Sequence, residues 1–309
     1  MEPKNDISKY ITSVKMSSKK RILVEGPDDK DHISNLLNVL GKNKIKIDSA
    51  ERIKGDCKHT SKNNRAKIEK IFNICKDSVK HSNLYYLCDR EFKAFNVEEK
   101  IVDMMVDHKT DRNLSWTIGH SLENYFIEPD LIANAYRYLT SSEYKNNAAE
   151  NFKSLLPSAL RMIATITLAA REINKCSYPL GVIRWDDFEI IANEVTLNIN
   201  VWRANENHEI LSRFKEAFNK YKPVVESSDI GVLSRVCRGH TAMQLLQRIF
   251  ALCLFQAGSK QDENLAKKAA VDFSKIKEKN VSTALCESWL KTIADGSPNY
   301  PSNLILSVS

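Results

Sequence analysis

Four acidic residues follow two short apolar segments of the chain, at positions that suit phosphodiester chemistry. Glu25 follows the first segment directly, with Asp29 four residues further on, and Asp89 and Glu91 follow the second. The carboxyl ends of parallel strands share one edge of a sheet, so these side chains are expected to converge in one crevice. Converging carboxylates repel each other unless a cation neutralises them, and Mg²⁺ prefers such oxygen ligands. Two such ions can activate a water and stabilise the leaving oxygen of a phosphodiester.

A second interpretation of the same acids is structural. An acid that follows a strand often caps the helix that comes next, and Asp28 and Asp29 are placed to do this. Any one of the four acids fits this interpretation well. The whole set at matching positions fits the crevice better.

The elements that must position these acids are predicted from apolar spacing. An amphipathic helix opens the chain, and strands are expected at residues 22–24, 45–47, 84–88 and 114–118, with helices between the first three. The 84–88 segment is apolar on both faces, which is typical of a central strand. Alternation of strands and helices predicts a mostly parallel sheet with flanking helices.

Beyond about residue 129 the pattern becomes helical. Helices are expected near residues 129–140, 150–173, 186–197, 207–221, 240–256, 262–275 and 280–293, and no strand is expected there. We therefore expect an N-terminal helix over residues 1–20, a sheet domain over 21–135 and an all-α domain over 136–309.

Composition narrows the class of protein. The 309 residues are 42% hydrophobic and 28% charged, which is typical of a globular chain. The formal net charge of +7 is compatible with nucleic-acid binding without proving it. The seven cysteines include no CxxC pair, which argues against a zinc ribbon and a disulfide framework and favours the cytoplasm. Neither a signal peptide nor a membrane span is expected.

Two segments of the chain resemble the motifs of the Toprim family. Val24-Glu25-Gly26-Pro27-Asp28-Asp29 resembles the first motif, and Leu87-Cys88-Asp89-Arg90-Glu91 resembles the second, with Glu91 in place of its last Asp. The resemblance implies a Rossmann-like α/β Toprim fold that binds Mg²⁺ or Mn²⁺. It implies Glu25 as general acid/base, and Asp89 and Glu91 as metal ligands.

A third segment is similar to one subgroup of Toprim proteins. Gly119-His120-Ser121-Leu122-Glu123-Asn124-Tyr125-Phe126 resembles a stretch found in effectors of bacterial anti-phage systems. With the helical second half, the chain is most similar to the AriB nuclease effectors of the PARIS system. This implies a toxic nuclease that cleaves RNA, specifically tRNA, once released from an ABC-type ATPase partner, and that forms a homodimer when released. The helical half would carry docking and dimer contacts.

Several alternatives stay open at this stage. An OLD-type DNA nickase would keep the enzyme class and change the substrate, and a Toprim-shaped binding or sensor module would have no catalysis. Glu123 is expected either to supply a further metal carboxylate beside Asp89 or to cap the helix after it. In the first case Asn124 would orient Glu123 or a water.

Two basic features are candidates for nucleic-acid contact. Arg238 and His240 precede a helix that Thr241 would cap, and a helix N-terminus of this kind can bind phosphate. Here the alternative is a surface turn before a core helix. The second feature is the outer face of a helix predicted over residues 60–80, for which the alternative is a solvated surface. Its basic residues are Lys58, Lys62, Arg65, Lys67, Lys70, Lys76 and Lys80.

Overall fold

The computed structural model of the protein describes residues 5–105, 107–199 and 208–309. Its α-helices are α1 (Ile7–Lys15), α2 (Pro27–Val39), α3 (Lys58–Lys62), α4 (Asn64–Cys75), α5 (Pro129–Tyr138), α6 (Lys145–Glu172), α7 (Tyr178–Val182), α8 (His208–Glu226), α9 (Ile230–Val236), α10 (Gly239–Gly258), α11 (Glu263–Ser274), α12 (Glu278–Ala294) and α13 (Ser302–Ser307). Its strands are β1 (Asn5–Asp6), β2 (Arg21–Val24), β3 (Lys46–Ser49), β4 (Ile53–Lys54), β5 (Leu84–Cys88), β6 (Phe95–Val97), β7 (Ile101–Asp103), β8 (Thr110–Asp111), β9 (Leu114–Trp116), β10 (Phe188–Ile191) and β11 (Glu194–Leu197).

The chain divides into two compact units, each made of segments that are distant in sequence. The first unit comprises Met1–Arg90, Met105–Leu122 and Leu290–Ser309, and the second comprises Glu91–Met104 and Glu123–Trp289. The sequence predicts an N-terminal helix over residues 1–20, a sheet domain over 21–135 and a helical domain over 136–309. The structure differs from that expectation at the C-terminus, where the last twenty residues belong to the unit that contains the sheet.

The first unit is built on a five-stranded sheet in the order β3-β2-β5-β9-β8. β2 pairs in parallel with β3 and β5, and β9 pairs in parallel with β5. Only the short β8 is antiparallel to its neighbour within this sheet. All five residues of β5 are buried, as expected for a central strand. The mostly parallel sheet with flanking helices is therefore confirmed.

Helices of the first unit bury their apolar stripes on this sheet. α2 starts directly after β2, with Pro27 at its first position, and it contacts β2 and β3. α4 contacts β5, and Ile68 and Ile71 on its inner face are completely buried. α13 contacts β5 and β9. The N-terminus of α1 is capped by Asp6, as expected, because Asp6 Oδ1 accepts the Lys9 N–H at 2.8 Å.

The second unit is mainly helical. The 28-residue helix α6 contacts α5, α8 and α10, and α10 contacts α11. Four aromatic rings, from Tyr136, Phe152, Phe250 and Phe273, meet between these helices with centroid separations from 4.9 to 5.7 Å. The Tyr136 hydroxyl donates to the Met243 carbonyl at 2.8 Å, so the polar end of this buried ring is satisfied.

The helix expected over residues 186–197 is wrong, and with it the all-α description of the second half. A 3₁₀ segment, Trp185–Asp187, leads into an antiparallel hairpin of β10 and β11. Ala192 and Asn193 form its turn with φ angles of 50° and 63°. A two-residue turn with both φ angles positive suits the twist of a hairpin.

The helix expected over residues 60–80 is also interrupted. Asn63 separates α3 from α4 and caps α4 by accepting the Ala66 N–H at 2.9 Å. A 3₁₀ segment, Val79–His81, then precedes β5. Within the described residues, no helix combines the length and the apolar composition that crossing a membrane requires.

Candidate active site

Glu25 and Asp89 lie together at the carboxyl edge of the parallel sheet. Glu25 follows β2 and Asp89 follows β5, and both residues are half-buried. The Asp89 backbone N–H donates to Glu25 Oε1 at 3.0 Å, so the Glu25 carboxylate lies directly against the end of the neighbouring strand. The pairing of β2 with β5 makes this contact possible, because it brings residues 64 apart in sequence to one edge.

The backbone of Glu25 is also held from the other side, by the segment that follows β3. Its carbonyl oxygen accepts the Glu51 N–H at 3.2 Å and the Ser49 hydroxyl at 3.4 Å. Glu25 is thus fixed between the strands on both sides of β2. Such support from neighbouring elements limits the movement of a functional side chain.

The loop after Asp89 is fixed by a completely buried arginine. Arg90 has 0% exposure, and its Nη1 donates to the Ile118 carbonyl at 2.8 Å. Its backbone N–H donates to Thr117 Oγ1 at 3.1 Å, and the Thr117 N–H donates to the Cys88 carbonyl at 3.1 Å. The end of β5 is therefore clamped to the turn that follows β9.

Asp29 and Glu91, two of the other predicted acids, have different local surroundings from Glu25. Asp29 Oδ2 accepts the Gly26 N–H at 2.8 Å, which stabilises the start of α2 in the way the structural interpretation expected. Glu91 is exposed, with a left-handed φ of 50°. This conformation is costly for a residue with a side chain. Glu91 belongs to the second unit.

The pKa of the Cys88 thiol, directly before Asp89, depends on burial and on the charged groups around the end of β5. Burial raises the pKa of Cys88 well above its usual range, and the negative charge of Glu25 raises it further. Glu69 and Asp89 act in the same direction, whereas Arg65 lowers the pKa. The raised pKa favours the neutral thiol form of Cys88.

Glu123 lies in the 3₁₀ segment Leu122–Phe126 of the second unit, not on the strand that ends at Trp116. The alternative, that it caps the next helix, is wrong: α5 is capped by Glu128, whose Oε2 accepts the Leu131 N–H at 3.1 Å. Its neighbour Asn124 has a structural role. Asn124 Nδ2 donates to the carbonyls of Ser234 at 2.7 Å and Cys237 at 2.9 Å, which satisfies the end of α9.

The residues of this site fit a divalent cation in part. Across residues 5–105, 107–199 and 208–309, no three His, Cys, Asp or Glu side chains come together as ligands for a metal ion. Of the five predicted carboxylates, Glu25, Asp29 and Asp89 lie in the first unit and Glu91 and Glu123 in the second. Glu25 and Asp89 nevertheless offer the hard oxygen donors that Mg²⁺ prefers, and Mg²⁺ often binds one or two carboxylates together with waters and substrate phosphates. The metal site stays a prediction.

The basic face predicted for residues 60–80 is smaller than expected. Lys67 is only 4% exposed, and its Nζ donates to the carbonyls of Ala50 at 2.6 Å and Ile53 at 2.9 Å, so its assignment to an outer face is wrong. Arg65 pairs with Glu69 at 3.0 Å and Lys70 with Asp56 at 2.6 Å. The exposed members of the set are Lys58, Lys62, Lys76 and Lys80.

The second basic feature, in the other unit, also differs from its prediction. Thr241 is buried inside α10, and the residue at the N-cap position is Arg238. Arg238 Nη1 donates to Thr241 Oγ1 and to the Cys176 carbonyl, both at 3.3 Å. His240 Nδ1 lies 2.5 Å from Glu278 Oε1. Both side chains therefore already contact protein groups, and their binding of phosphate stays a prediction.

Residues that support the site but were missed in the sequence are Ser49, Arg90 and Thr117. The available signal in the sequence was an arginine between two acids, Asp89 and Glu91. The structure shows its role, because arginine is almost never fully buried unless it is hydrogen-bonded. Comparison of the sequence with known protein families and with curated proteins gives no match.

Proposed function

We propose that this protein is a nuclease of the Toprim type that uses Mg²⁺ or Mn²⁺ to hydrolyse phosphodiester bonds. The observation that supports this most directly is the contact between Glu25 Oε1 and the Asp89 N–H at 3.0 Å, at the carboxyl edge of a parallel sheet. This is the edge at which open α/β sheets bind their ligands. Glu25 and Asp89, one from each of the two motifs that resemble Toprim sequences, lie at this edge.

In this proposal Glu25 moves a proton at the phosphodiester, as general acid or base. A bound Mg²⁺ or Mn²⁺ would neutralise charge on the phosphate, and Asp89 would be its principal ligand, with Asp29, Glu91 and Glu123 as further candidates. The hydrogen bond from the Asp89 N–H and the contacts from Ser49 and Glu51 hold Glu25 in one position. Fixed geometry of this kind lowers the entropic part of the barrier.

The substrate and biological role in this proposal rest on the resemblance to the AriB effectors. On that basis the substrate is RNA, specifically tRNA, and the enzyme is a cytoplasmic toxin of an anti-phage system. An ABC-type ATPase would hold it inactive, and the released protein would form a homodimer. Lys62 and Arg65, and Arg238 and His240 in the second unit, are the proposed nucleic-acid contacts.

A binding module without catalysis is the second candidate. It is favoured by one observation, that the described residues contain no group of three metal-ligating side chains. The two functions differ in whether Glu25 and Asp89 are needed for turnover.

Cleavage assays on purified protein separate these functions. Total tRNA, supercoiled plasmid and single-stranded DNA are each incubated with Mg²⁺, with Mn²⁺ or with EDTA. We expect tRNA cleavage that EDTA abolishes, and a loss of at least about 100-fold in Glu25→Gln, in line with the contribution of general acid–base groups. Asp89→Asn should cost more than Glu91→Gln, because Asp89 directly follows the strand.

The controls define what each failure means. Asp31→Asn removes an exposed carboxylate from α2 and should leave cleavage unchanged. Full activity in EDTA would exclude the metal, whereas plasmid nicking with intact tRNA would indicate the DNA nickase. If the protein is free of its ATPase partner, is supplied with metal ions and still cleaves none of the three substrates, the binding module is favoured.

Toxicity tests the effector role separately. Wild-type protein expressed alone at high level should be toxic, and Glu25→Ala should not. Co-expression with the proposed ABC-type ATPase partner should remove the toxicity and allow the two proteins to be purified together. Equal toxicity of wild type and Glu25→Ala would contradict the catalytic role.

A further inference from the structure

The first unit contains a cavity of about 280 Å³ at the edge of the sheet opposite to Glu25 and Asp89. Leu84, at the amino end of β5, and Asn113, just before β9, mark its position, because the amino ends of parallel strands share one edge. The end of α4 and the segment that leads into β5 complete its wall. Its lining side chains include Phe72, Cys75, Lys76, His81, Tyr86 and Arg112.

Two buried polar atoms of residues that line this cavity make no hydrogen bond of normal geometry with any residue that the structure describes, although the Cys75 thiol lies close enough to the Tyr86 hydroxyl to affect its pKa. They are the Tyr86 hydroxyl, on a residue that is 2% exposed, and His81 Nε2. Ser78 Oγ lies 2.9 Å from His81 Nδ1, so the other ring nitrogen is the one available to a ligand. A buried polar group without a partner is destabilising, so two at one cavity indicate that something binds there.

The side chains at the inner end are neutral hydrogen-bonding groups. Burial raises the pKa of Tyr86 far above its usual range, so its phenol keeps its proton and can donate. Burial likewise raises the pKa of Cys75, which argues against a thiolate and hence against a soft metal at this place. Phe72 packs edge-on against Tyr86, with centroids 5.5 Å apart, and provides an apolar wall.

The mouth of the cavity has a small excess of positive charge. Arg112 forms an ion pair with Asp77 and also donates to the Lys76 carbonyl at 3.0 Å. Lys76 Nζ lies 5.8 Å from the centre of the Phe72 ring, at the edge of the apolar wall. With two cations and one anion at the mouth, an anionic group on a ligand would be attracted there.

We propose that this cavity binds a small planar heteroaromatic anion of about the size of a substituted pyrimidine. Its hydrogen-bonding edge contacts Tyr86 and His81, its ring lies against Phe72, and its anionic group lies beside Lys76 and Arg112. The volume would hold roughly nine water molecules at about 30 Å³ each, which is enough for one such ring. This is near the lower limit of the usual size of ligand pockets.

Calorimetric titration of the whole protein with four compounds tests the proposal. Orotate has both the hydrogen-bonding edge and the anion, uracil lacks the anion, benzoate lacks the edge, and inorganic phosphate lacks the ring. Orotate should bind at least about tenfold more tightly than each of the others. Tyr86→Phe should weaken orotate binding about 3- to 10-fold, the range for one net hydrogen bond. Arg112→Gln should weaken orotate and leave uracil unchanged.

Two further measurements make the result decisive. Without ligand, Tyr86→Phe should melt at the same temperature as wild type or higher, because it removes a buried hydroxyl whose polar neighbour, the Cys75 thiol, is a weak hydrogen-bonding group. Glu25→Gln should bind orotate normally, so a failed nuclease proposal and a failed cavity proposal can be told apart. The proposal is overturned if no compound binds, if phosphate or benzoate binds as well as orotate, or if Tyr86→Phe binds orotate normally or melts clearly lower.

Discussion

Lys67 offers a sharp test of how the candidate active site is supported. Its ammonium is buried and donates to the carbonyls of Ala50 and Ile53, which lie in the segment after β3. The same segment donates from the Glu51 N–H to the carbonyl of Glu25. Replacing Lys67 by Met keeps the apolar stem and removes both hydrogen bonds, so the support of Glu25 is weakened without touching Glu25.

The expected loss of stability follows from these contacts. Two buried carbonyls lose their donor, at about 1–3 kcal/mol each. The variant regains part of this, because burying an ammonium costs several kcal/mol before it is compensated. We expect a net loss of about 2–4 kcal/mol. At about 3 °C per kcal/mol for a domain of this size, the melting temperature falls by about 6–12 °C.

Scanning calorimetry measures this change, and hydrogen exchange over residues 46–55 locates it. Lys62→Met is the matched control, because Lys62 is exposed and should change the melting temperature by less than about 2 °C. Lys67→Met should also lower cleavage by the proposed nuclease, whereas Asp31→Asn should leave it unchanged. If Lys67→Met and Lys62→Met have the same melting temperature, the Lys67 ammonium does not hold the segment after β3. If Lys67→Met is more stable, its desolvation outweighs its hydrogen bonds.

Three other predictions follow from contacts in single units. Asn124→Ala should cost about 2 kcal/mol in urea unfolding, because it removes both donors at the end of α9; an unchanged midpoint would contradict this. Gly55→Ala should cost about 1–3 kcal/mol in the same assay, because a Cβ there would lie 2.4 Å from backbone atoms of α3, whereas Gly181→Ala has open space and serves as control. The pKa of Glu172 is lowered mainly by its hydrogen bond from Lys220, so its stabilising effect is present above the unfolded pKa and is lost as pH falls through the folded pKa. A carboxyl titration followed by NMR should show this pKa rising in Lys220→Met, and no rise would exclude the pair in solution.

The sheet could be predicted from the sequence because buried parallel strands are continuous apolar runs. Residues 84–88 show this most clearly, and the strand is central as expected. The contact between Glu25 and the end of β5 also follows from this pattern, because Glu25 and Asp89 each directly follow a strand at the same edge of the sheet. The helices from α5 to α12 were mostly found from their period of 3.6 residues.

The errors have physical causes in particular residues. Phe188, Ile191 and Val195 have the spacing of a helix face, yet they lie in a hairpin whose turn has two positive φ angles. Lys67 lies among charged residues in the sequence, and only its contacts with carbonyls of the segment after β3 show why it points inward. Long-range partners of this kind leave no local pattern.

The position of α13 on the sheet has a consequence for how the chain folds during synthesis. β5 is complete at residue 88, but α13, which buries Leu304 and Ile305, is made more than 200 residues later. At usual translation rates the sheet waits about 10–40 s for this cover. Meanwhile the apolar surface of β5 and β9 beneath α13 is exposed to chaperones and to other nascent chains. A chain held on a ribosome that stalls between α12 and α13 would therefore have all the strands of its sheet but lack the helix that covers β5 and β9.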